Sequence, residues 1–176
     1  MPVAPLLTTD RLVLRPHRVE DHGDVAALWG DPAVVRHITG RPATASEAWA
    51  RLLRHAGHWA LMGFGYWAVT GRETGTFLGE VGLAEYRRAV TPGFDGRPEA
   101  GWVMATAAQG RGLAREAVAA ALAWADTALP AAETVCMIAP EHAASLRLAR
   151  DLGYGSRIAG HLAGEPVAIL RRPRGG

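Results

Sequence analysis

The stretch Gln109-Gly110-Arg111-Gly112-Leu113-Ala114 is the most informative part of the sequence, because it joins an apolar, strand-like segment to a long alanine-rich helix. Its two glycines allow the backbone to turn tightly and to direct several amide N–H groups toward one point. The first turn of the following helix adds N–H groups without intrahelical partners, and a helix N-terminus attracts anions. Arg111 and Arg115 add positive charge. The stretch therefore predicts a binding site for a phosphate or pyrophosphate group.

Two familiar phosphate loops do not fit this stretch. A nucleotide P-loop needs Gly-Lys-Ser/Thr, and the chain contains no lysine. A dinucleotide fingerprint needs a third glycine, where this chain has Arg115, and it belongs to a first βαβ unit. This turn lies past the middle of the chain. An ordinary tight turn with helix-packing glycines stays open as the alternative for the turn alone.

Hydrophobic periodicity and turn residues predict the elements on both sides of the turn. The segments before it are predicted as a short strand at 12–14, helices at 20–29 and 44–62, strands at 66–70, 76–85 and 99–105, and a loop at 87–98. The segments after it are predicted as a helix at 112–129, a strand at 134–139, a helix at 142–152 and strands at 157–158 and 167–170. This order predicts one α+β domain over residues 1–176 with a mixed sheet.

The turn resembles the pyrophosphate loop of the GNAT superfamily of N-acetyltransferases, which reads Gln-x-x-Gly-x-Ala at this point in the element order. Further segments resemble the branch of ribosomal-protein N-terminal (alanine/serine) acetyltransferases. They are Leu7–Arg15, Val19–Asp21 followed by Asp31–Arg36, Gly79–Leu83 and Glu99–Val103. The resemblance covers nearly the whole chain. It implies the GNAT (acyl-CoA N-acyltransferase) fold, in which a central mixed, mostly antiparallel sheet is flanked by helices on both faces.

The resemblance also implies how acetyl-coenzyme A would bind. In the family the cofactor lies between two splayed strands, and the backbone of the fourth strand pairs with the pantetheine arm. Here that backbone belongs to Trp102, Val103 and Met104. The amides that would bind the pyrophosphate are those of Gln109, Gly110, Arg111, Gly112, Leu113 and Ala114. The family's Asn-x-x-Ser corresponds to His142-Ala143-Ala144-Ser145, so His142 stands where an asparagine contacts the pantetheine, with Ser145 after it.

Acetyl transfer from a thioester needs a neutral amine, so a proton acceptor is required. Glu99, at the start of the strand that faces the thioester in the family, is the first candidate, and Glu85 is the second. By the same resemblance, the N–H of Val103 or Met104 would stabilise the carbonyl oxygen. Many family members protonate the thiolate with a tyrosine at the position of Ala149. None is present here, and solvent would serve instead.

Composition limits the other functions. A net charge of +2 without a basic run argues against nucleic-acid binding. No signal peptide or apolar run of about 20 residues is expected, which predicts a cytoplasmic protein without membrane segments. Cys136 lies in an apolar run and is predicted to be a buried thiol. His55 and His58 are three residues apart on a helix but lack a third ligand, so no metal is expected. His17, His22 and His37 are expected at the surface or beside helices.

The resulting prediction is an acetyl-coenzyme A-dependent N-acetyltransferase. Its partners would be a small-molecule acyl donor and a primary amine, either a protein N-terminal α-amine or a small-molecule amine. The alternative is a catalytically weak or inactive acetyl-coenzyme A-binding sensor, which the absent tyrosine and His142 favour. An unrelated dinucleotide-binding oxidoreductase is a third hypothesis. Homodimers are common for this fold, although no segment of the sequence defines an interface.

Overall fold

The computed structural model describes residues 4–176. In this range the strands are β1 (Leu7–Thr8), β2 (Leu12–Arg15), β3 (Tyr66–Gly71), β4 (Phe77–Ala84), β5 (Val90–Thr91), β6 (Glu99–Met104), β7 (Glu133–Ile138), β8 (Gly155–Leu162) and β9 (Glu165–Pro173). The α-helices are α1 (His22–Gly30), α2 (Pro32–Val35), α3 (Ala45–Met62), α4 (Leu113–Ala128) and α5 (Ala143–Asp151), and 3-10 turns lie at Val19–Asp21 and Thr106–Ala108. None of the helices in the described range is long and apolar enough to cross a membrane.

The sequence at both ends of α3 explains where this helix begins and ends. The Thr44 hydroxyl accepts from the Glu47 N–H at 3.2 Å, and the Glu47 carboxylate accepts from the Thr44 N–H at 2.8 Å. This reciprocal capping box satisfies two backbone donors that a helix start leaves unpaired. Gly63 follows the last turn with φ +74°, a left-handed conformation that glycine adopts most easily. The buried positions of α3 repeat every three to four residues, and they are Ala48, Leu52, His55 and Trp59.

The chain divides into two compact units. The first contains the described residues up to Gly82 and the segment Trp102–Ala121. Its strands β1, β2, β3 and β4 pair in that order, each antiparallel to the next. Apolar side chains of α1, α2, α3 and β6 form one of its cores, and the buried members are Val25, Leu28, Trp29, Val34, Val35, Ala48, Leu52 and Val103. Burial of this apolar surface is the main stabilising contribution to the unit.

A close backbone approach within the first unit requires a glycine at position 79. Gly79 has φ +154°, and a Cβ atom at this position would lie 2.2 Å from the Val103 carbonyl oxygen. Beside it, the Leu78 carbonyl accepts from the Ala105 N–H at 2.9 Å. Since real Cβ atoms do not approach a carbonyl so closely, any other residue would push β4 away from the end of β6. Gly79 therefore fixes the position of the strand that leads to the phosphate turn.

The second unit contains Leu83–Gly101 and Leu122–Gly176. Its strands pair in the order β7, β9, β8 and β5, all antiparallel, while Glu99 of β6 pairs with Val135 of β7 in parallel. One apolar cluster centres on the buried residues Phe94, Val135 and Ile169. Cys136, next to this cluster in the chain, is buried, which confirms the prediction for this thiol.

The pairings described above are antiparallel except for β6 with β7. The sheet is therefore mixed and mostly antiparallel, and the predicted α+β fold class is confirmed. The single domain over residues 1–176 stays a prediction, and residues 1–3 of that range lie outside the described part.

Three short elements were not predicted, namely β1, α2 and β5, each of two to four residues. Segments this short carry too few positions for a period to show. The last two strands are also longer than predicted, because they pair with each other as a hairpin. His17, which was expected at the surface or beside a helix, precedes the 3-10 turn at Val19–Asp21, and its side chain is 1% exposed. Its ring is buried because it contacts the buried carboxylate of Glu80.

Candidate active site

The predicted phosphate turn has the backbone conformation that its glycines indicate. Gly110 and Gly112 have φ of +70° and +75°, a region that costs other residues ~1–2 kcal/mol. A Cβ atom at position 112 would meet, among the described residues, only Nη2 of Arg11, at 3.6 Å. Leu113 begins α4 with a buried side chain, which anchors the exit of the turn. The turn can therefore present the N–H groups of the first turn of α4 to an anion.

Gln109 holds the turn to the end of β6. Its side-chain Nε2 donates to the Met104 carbonyl at 3.1 Å. Its backbone N–H donates to the Thr106 carbonyl at 3.2 Å. The Gln109 N–H is thus already bonded within the protein, which the sequence analysis did not predict. Gly110 to Ala114 supply the remaining amides of the predicted set.

Arg11 lies beside the turn, although the sequence analysis did not connect it with this site. Its Nη1 donates to the Arg111 carbonyl at 3.0 Å, across 100 positions of the chain. Its Nε bonds the Glu116 carboxylate at 2.7 Å, and the Thr9 hydroxyl donates to the same carboxylate at 2.6 Å. Partial burial favours a higher pKa for Glu116, but these hydrogen bonds outweigh it, so the pKa of Glu116 is lowered. Only the fold could reveal this pairing.

The three predicted strand residues differ in exposure. Val103 and Met104 are buried, whereas Trp102 is half-buried. The Val103 carbonyl lies against Gly79, and the Met104 carbonyl accepts from Gln109. Both contacts fix the direction in which the strand enters the phosphate turn.

Glu99, the first candidate base, is buried in the second unit. Its carboxylate accepts a hydrogen bond from the Arg88 guanidinium, which also lies over the Tyr86 ring, 4.6 Å from its centroid. Burial raises the pKa of Glu99, and the positive charge of Arg88 opposes this without cancelling it. A raised carboxyl pKa is what a general base operating near neutral pH needs. Arg88 could not be predicted as the partner, because it lies in the predicted loop.

Glu85, the second candidate, lines the same small pocket as Glu99. Its carboxylate accepts from Arg87 Nε at 3.0 Å, and its side chain is 15% exposed. The pocket walls also include Tyr86, Arg88 and Phe94. The free volume among these side chains is about 10 Å³, which is the space that one water molecule needs. The structure therefore brings the two predicted carboxylates to one pocket, whose volume is at the lower limit for one water molecule.

The predicted pair at the start of α5 is in mutual contact. His142 Nε2 and the Ser145 hydroxyl are 3.0 Å apart, within hydrogen-bonding distance. His142 precedes the first residue of α5, so its ring reaches the hydroxyl one turn further along. Ala149, on the same helix, is fully buried. The helix thus provides a polar pair at its start and an apolar position where the family often has tyrosine.

Comparisons with known proteins identify the family and the fold. A family model described as an acetyltransferase (GNAT) domain matches residues 11–155. A protein from Bordetella pertussis assigned to the GNAT acetyltransferases is 35% identical, with a TM-score of 0.84 over 96% of this chain and 99% of that one. Two more distant structures share the fold.

The first of these two is spermidine N-acetyltransferase from Vibrio cholerae, in complex with CoA and spermine, at 17% identity and a TM-score of 0.72 over 94% and 97% of the two chains. The second is ribosomal-protein-S5-alanine acetyltransferase from Vibrio fischeri, at 16% identity and a TM-score of 0.77 over 98% of each chain. Because the family model spans most of the chain, this protein belongs to the GNAT acetyltransferase family.

Proposed function

We propose that this protein is an acetyl-coenzyme A-dependent N-acetyltransferase that acetylates a primary amine. The observation that carries the proposal is the turn at Gly110–Ala114, where two glycines with positive φ lead directly into the N-terminus of α4. Membership of the GNAT family supports an acyl-coenzyme A ligand for this turn. The coenzyme A bound to the Vibrio cholerae spermidine acetyltransferase supports it for the shared fold.

The pyrophosphate of the cofactor would bind the amides of Gly110 to Ala114, with Arg111 and Arg115 adding positive charge. The backbone of Trp102 to Met104 would pair with the pantetheine arm, as the corresponding strand does in the family. His142 and Ser145, already hydrogen-bonded to each other, would offer a ring nitrogen and a hydroxyl to the same arm. The transfer as proposed requires no metal.

In the reaction, the amine nitrogen would attack the thioester carbonyl carbon, and the C–S bond would break. Before the attack, the proton of the ammonium group would pass to Glu99, directly or through one water in the pocket that Glu99 shares with Glu85, and the attacking nitrogen would lose a second proton to solvent as the C–S bond breaks. The N–H of Val103 or Met104 would stabilise the negative charge on the carbonyl oxygen. Solvent would protonate the departing thiolate, since a thiol with a pKa near 8.5 is a tolerable leaving group.

The acceptor is proposed as a primary amine, either a protein N-terminal α-amine or a small amine. Spermine and the alanine of a ribosomal protein are named for two proteins of the same fold. Both are amines that are mostly protonated at neutral pH. A buried carboxylate with a raised pKa suits either of them, because both must lose a proton before they attack.

Calorimetric titration of the purified protein with acetyl-coenzyme A tests the proposal, with NADH as the control ligand. We expect micromolar binding of acetyl-coenzyme A and none of NADH. Release of free thiol would then be followed over a panel of peptides with free N-termini, polyamines and amino acids. Turnover of any amine would support the proposal that the protein is an N-acetyltransferase. Binding without turnover across the panel would favour the sensor, and absence of binding by a folded protein would contradict the proposal.

A further inference from the structure

A buried group of three ionisable side chains lies in the first unit, and none of the three is among the residues assigned above. It consists of His17, which precedes the 3-10 turn at Val19–Asp21, His55 on α3 and Glu80 on β4. We call it the histidine–glutamate cluster. The side chains are 1%, 3% and 0% exposed, respectively. Charged and polar groups are seldom buried so completely without pairing or metal coordination.

The donor atoms of the cluster converge on one carboxylate oxygen. His17 Nε2 is 2.8 Å from Glu80 Oε1, and His55 Nε2 is 3.7 Å from the same oxygen. One nitrogen from each ring and one oxygen of Glu80 all lie within 4.8 Å of one another. The other carboxylate oxygen, Oε2, accepts from the indole N–H of Trp29 at 2.6 Å. Trp29 thus holds Oε2 of Glu80, and Oε1 faces the imidazole rings of His17 and His55.

Packing fixes the two rings in this arrangement. The His55 ring stacks on Tyr66, with centroids 4.6 Å apart and an angle of 14° between the planes. The His17 ring lies 5.0 Å from the His55 ring. Because the rings cannot turn away without breaking these contacts, the ligand atoms are preorganised rather than free to seek other partners.

Two ring nitrogens of the cluster lack a hydrogen-bond partner among residues 4–176. They are His17 Nδ1 and His55 Nε2. A buried polar atom left unpaired typically costs about 1–3 kcal/mol, so each such atom calls for a physical reason. The unpaired Nε2 of His55 points toward Glu80 at a distance too long for a hydrogen bond. A cation between them would satisfy both groups.

We propose that the histidine–glutamate cluster binds one Zn²⁺ ion. Two imidazole nitrogens and one carboxylate oxygen are ligands that zinc prefers. Ligands about 2.0–2.1 Å from a tetrahedral zinc lie about 3.3 Å apart, and the two nitrogen–oxygen separations of 2.8 and 3.7 Å lie on either side of that value. Zinc would bind Glu80 through Oε1, while Trp29 holds Oε2 as an outer partner, and a water molecule would complete the coordination.

Zinc binding requires a change of tautomer at His17. In the hydrogen bond to Glu80, Nε2 carries the proton, because a carboxylate only accepts. A zinc-bound Nε2 must offer its lone pair, so the proton moves to Nδ1 and the ring stays neutral. No proton is lost to solvent in this step. His55 Nε2 offers its lone pair directly when its ring proton is on Nδ1.

Three protein ligands and a water are the open coordination typical of catalytic zinc, but the side chains of the cluster are only 0–3% exposed, so we expect the ion to stabilise the fold. Its ligands come from three separate segments of the first unit, and one ion would link the chain before α1 to α3 and β4. His58, which the sequence pairs with His55, is not part of the cluster, because its Nδ1 contacts the Phe64 carbonyl at 2.6 Å. The other two proposed ligands, His17 and Glu80, are far from His55 in the sequence, so no local spacing could have revealed them.

Metal titration of the purified full chain tests the zinc site. After removal of metal with a chelator, Zn²⁺ alone would be titrated by calorimetry in a buffer that does not bind zinc. We expect one Zn²⁺ per chain, and a rise in the Tm of about 5–10 °C at a zinc concentration of 100 times the Kd. Co²⁺ in place of Zn²⁺ should give the intense visible absorption of a four-coordinate site. Wild-type protein that binds neither ion stoichiometrically would overturn the proposal.

Matched variants separate this site from adventitious binding. His55→Gln and Glu80→Gln should each weaken zinc binding by at least about tenfold, since even the loss of an outer partner costs 10–100-fold. His58→Gln, on the same helix and outside the cluster, should bind as the wild type does. Circular dichroism would verify that each variant folds. Equal zinc binding by wild type, His55→Gln and Glu80→Gln would show surface binding only and would overturn the proposal.

Discussion

At the scale of single residues, the environment of Glu99 determines whether it can accept a proton. The carboxylate is buried, which raises its pKa, and Arg88 holds it as an ion pair. The two influences act in opposite directions. Burial alone would raise the pKa of the carboxyl group and favour its protonated form. A neighbouring cation alone would lower the pKa and make the carboxylate a weaker base. The pair keeps Glu99 available as a base while bringing its pKa closer to that of an amine.

Replacement of Glu99 by glutamine should lower kcat by about 10²–10⁴-fold, the usual contribution of a positioned general base. Binding of acetyl-coenzyme A should be unchanged, because the amide keeps the size of the side chain. Glu73→Gln, on the exposed β3–β4 turn, is the control. Thiol-release kinetics and calorimetry measure the two quantities. A kcat within twofold of the wild type would remove Glu99 from the mechanism, and Glu85→Gln would then be measured in the same way.

Replacement of Arg88 by glutamine should shift the acidic limb of the pH–rate profile to higher pH. Arg88 lowers the pKa of Glu99, opposing the effect of burial, so its removal lets that pKa rise further. A base must be deprotonated to act, and the variant therefore needs a higher pH to reach the same fraction of its maximal rate. Arg87→Gln, which removes the partner of Glu85 instead, should leave the limb in place. A limb that does not move in Arg88→Gln would contradict the assignment of Glu99.

Sequence reasoning found candidate residues but not their partners. Glu99 and Glu85 were chosen by their places at strand ends, and both line one pocket. The contacts of Arg88 with Glu99, and of Arg11 with Glu116 and the Arg111 carbonyl, could not be predicted. Side-chain partners far apart in the sequence depend on which segments the fold brings together, and neither a loop arginine nor an N-terminal one carries a local signal for this.

At the scale of elements, the strand–turn–helix formed by β6 and α4 depends on backbone conformation more than on side chains. Gly110 and Gly112 both have positive φ. A Cβ atom at either position would make no close steric contact with neighbouring atoms of the described residues. The requirement for glycine is therefore conformational, together with the space that a bound phosphate would need.

Gly112→Val should abolish binding of acetyl-coenzyme A, because a β-branched side chain strains the turn and projects where the pyrophosphate would lie. Gly75→Val is a matched control, since Gly75 has φ +66°, no heavy atoms within 4 Å of its Cβ position, and a place in the β3–β4 turn. Both variants should lose ~1–2 kcal/mol of stability. Calorimetry and urea unfolding measure the two effects. Binding by Gly112→Val equal to that by Gly75→Val would mean that the turn does not hold the cofactor.

The long elements and the short strand β2 could be predicted, whereas three other short elements could not. α3 and α4 were predicted to within one or two residues at each end, because caps and periodic apolar positions mark them. β1, α2 and β5 were missed because two to four residues show no period. β8 and β9 were predicted too short, since their outer residues become strand only by pairing with each other. Tertiary pairing rather than local propensity forms such strand ends.

At the scale of the whole molecule, arginines form ion pairs with acids in both units. In the second unit, Arg172 is 5% exposed and forms a two-pronged bond with Asp126, at 2.8 and 2.7 Å. Its Nε also donates to the Leu152 carbonyl at 3.1 Å. The pair ties α4 and the end of α5 to β9. The Arg172 hydrogen bond, although desolvation opposes it, lowers the pKa of Asp126 below its usual value.

Asp126→Asn should therefore destabilise the protein by about 3 kcal/mol at pH 7, the cost of leaving a buried cation without its partner. A carboxyl group whose pKa is lowered by folding stabilises the protein above its unfolded pKa of about 3.9, and this contribution is lost as pH falls through the folded pKa. The difference between wild type and variant should thus shrink at pH 2.5. Urea unfolding at both pH values measures it, with the exposed Asp151→Asn as control. An equal difference at pH 7 and pH 2.5 would show that the loss comes from packing rather than from the charge of Asp126.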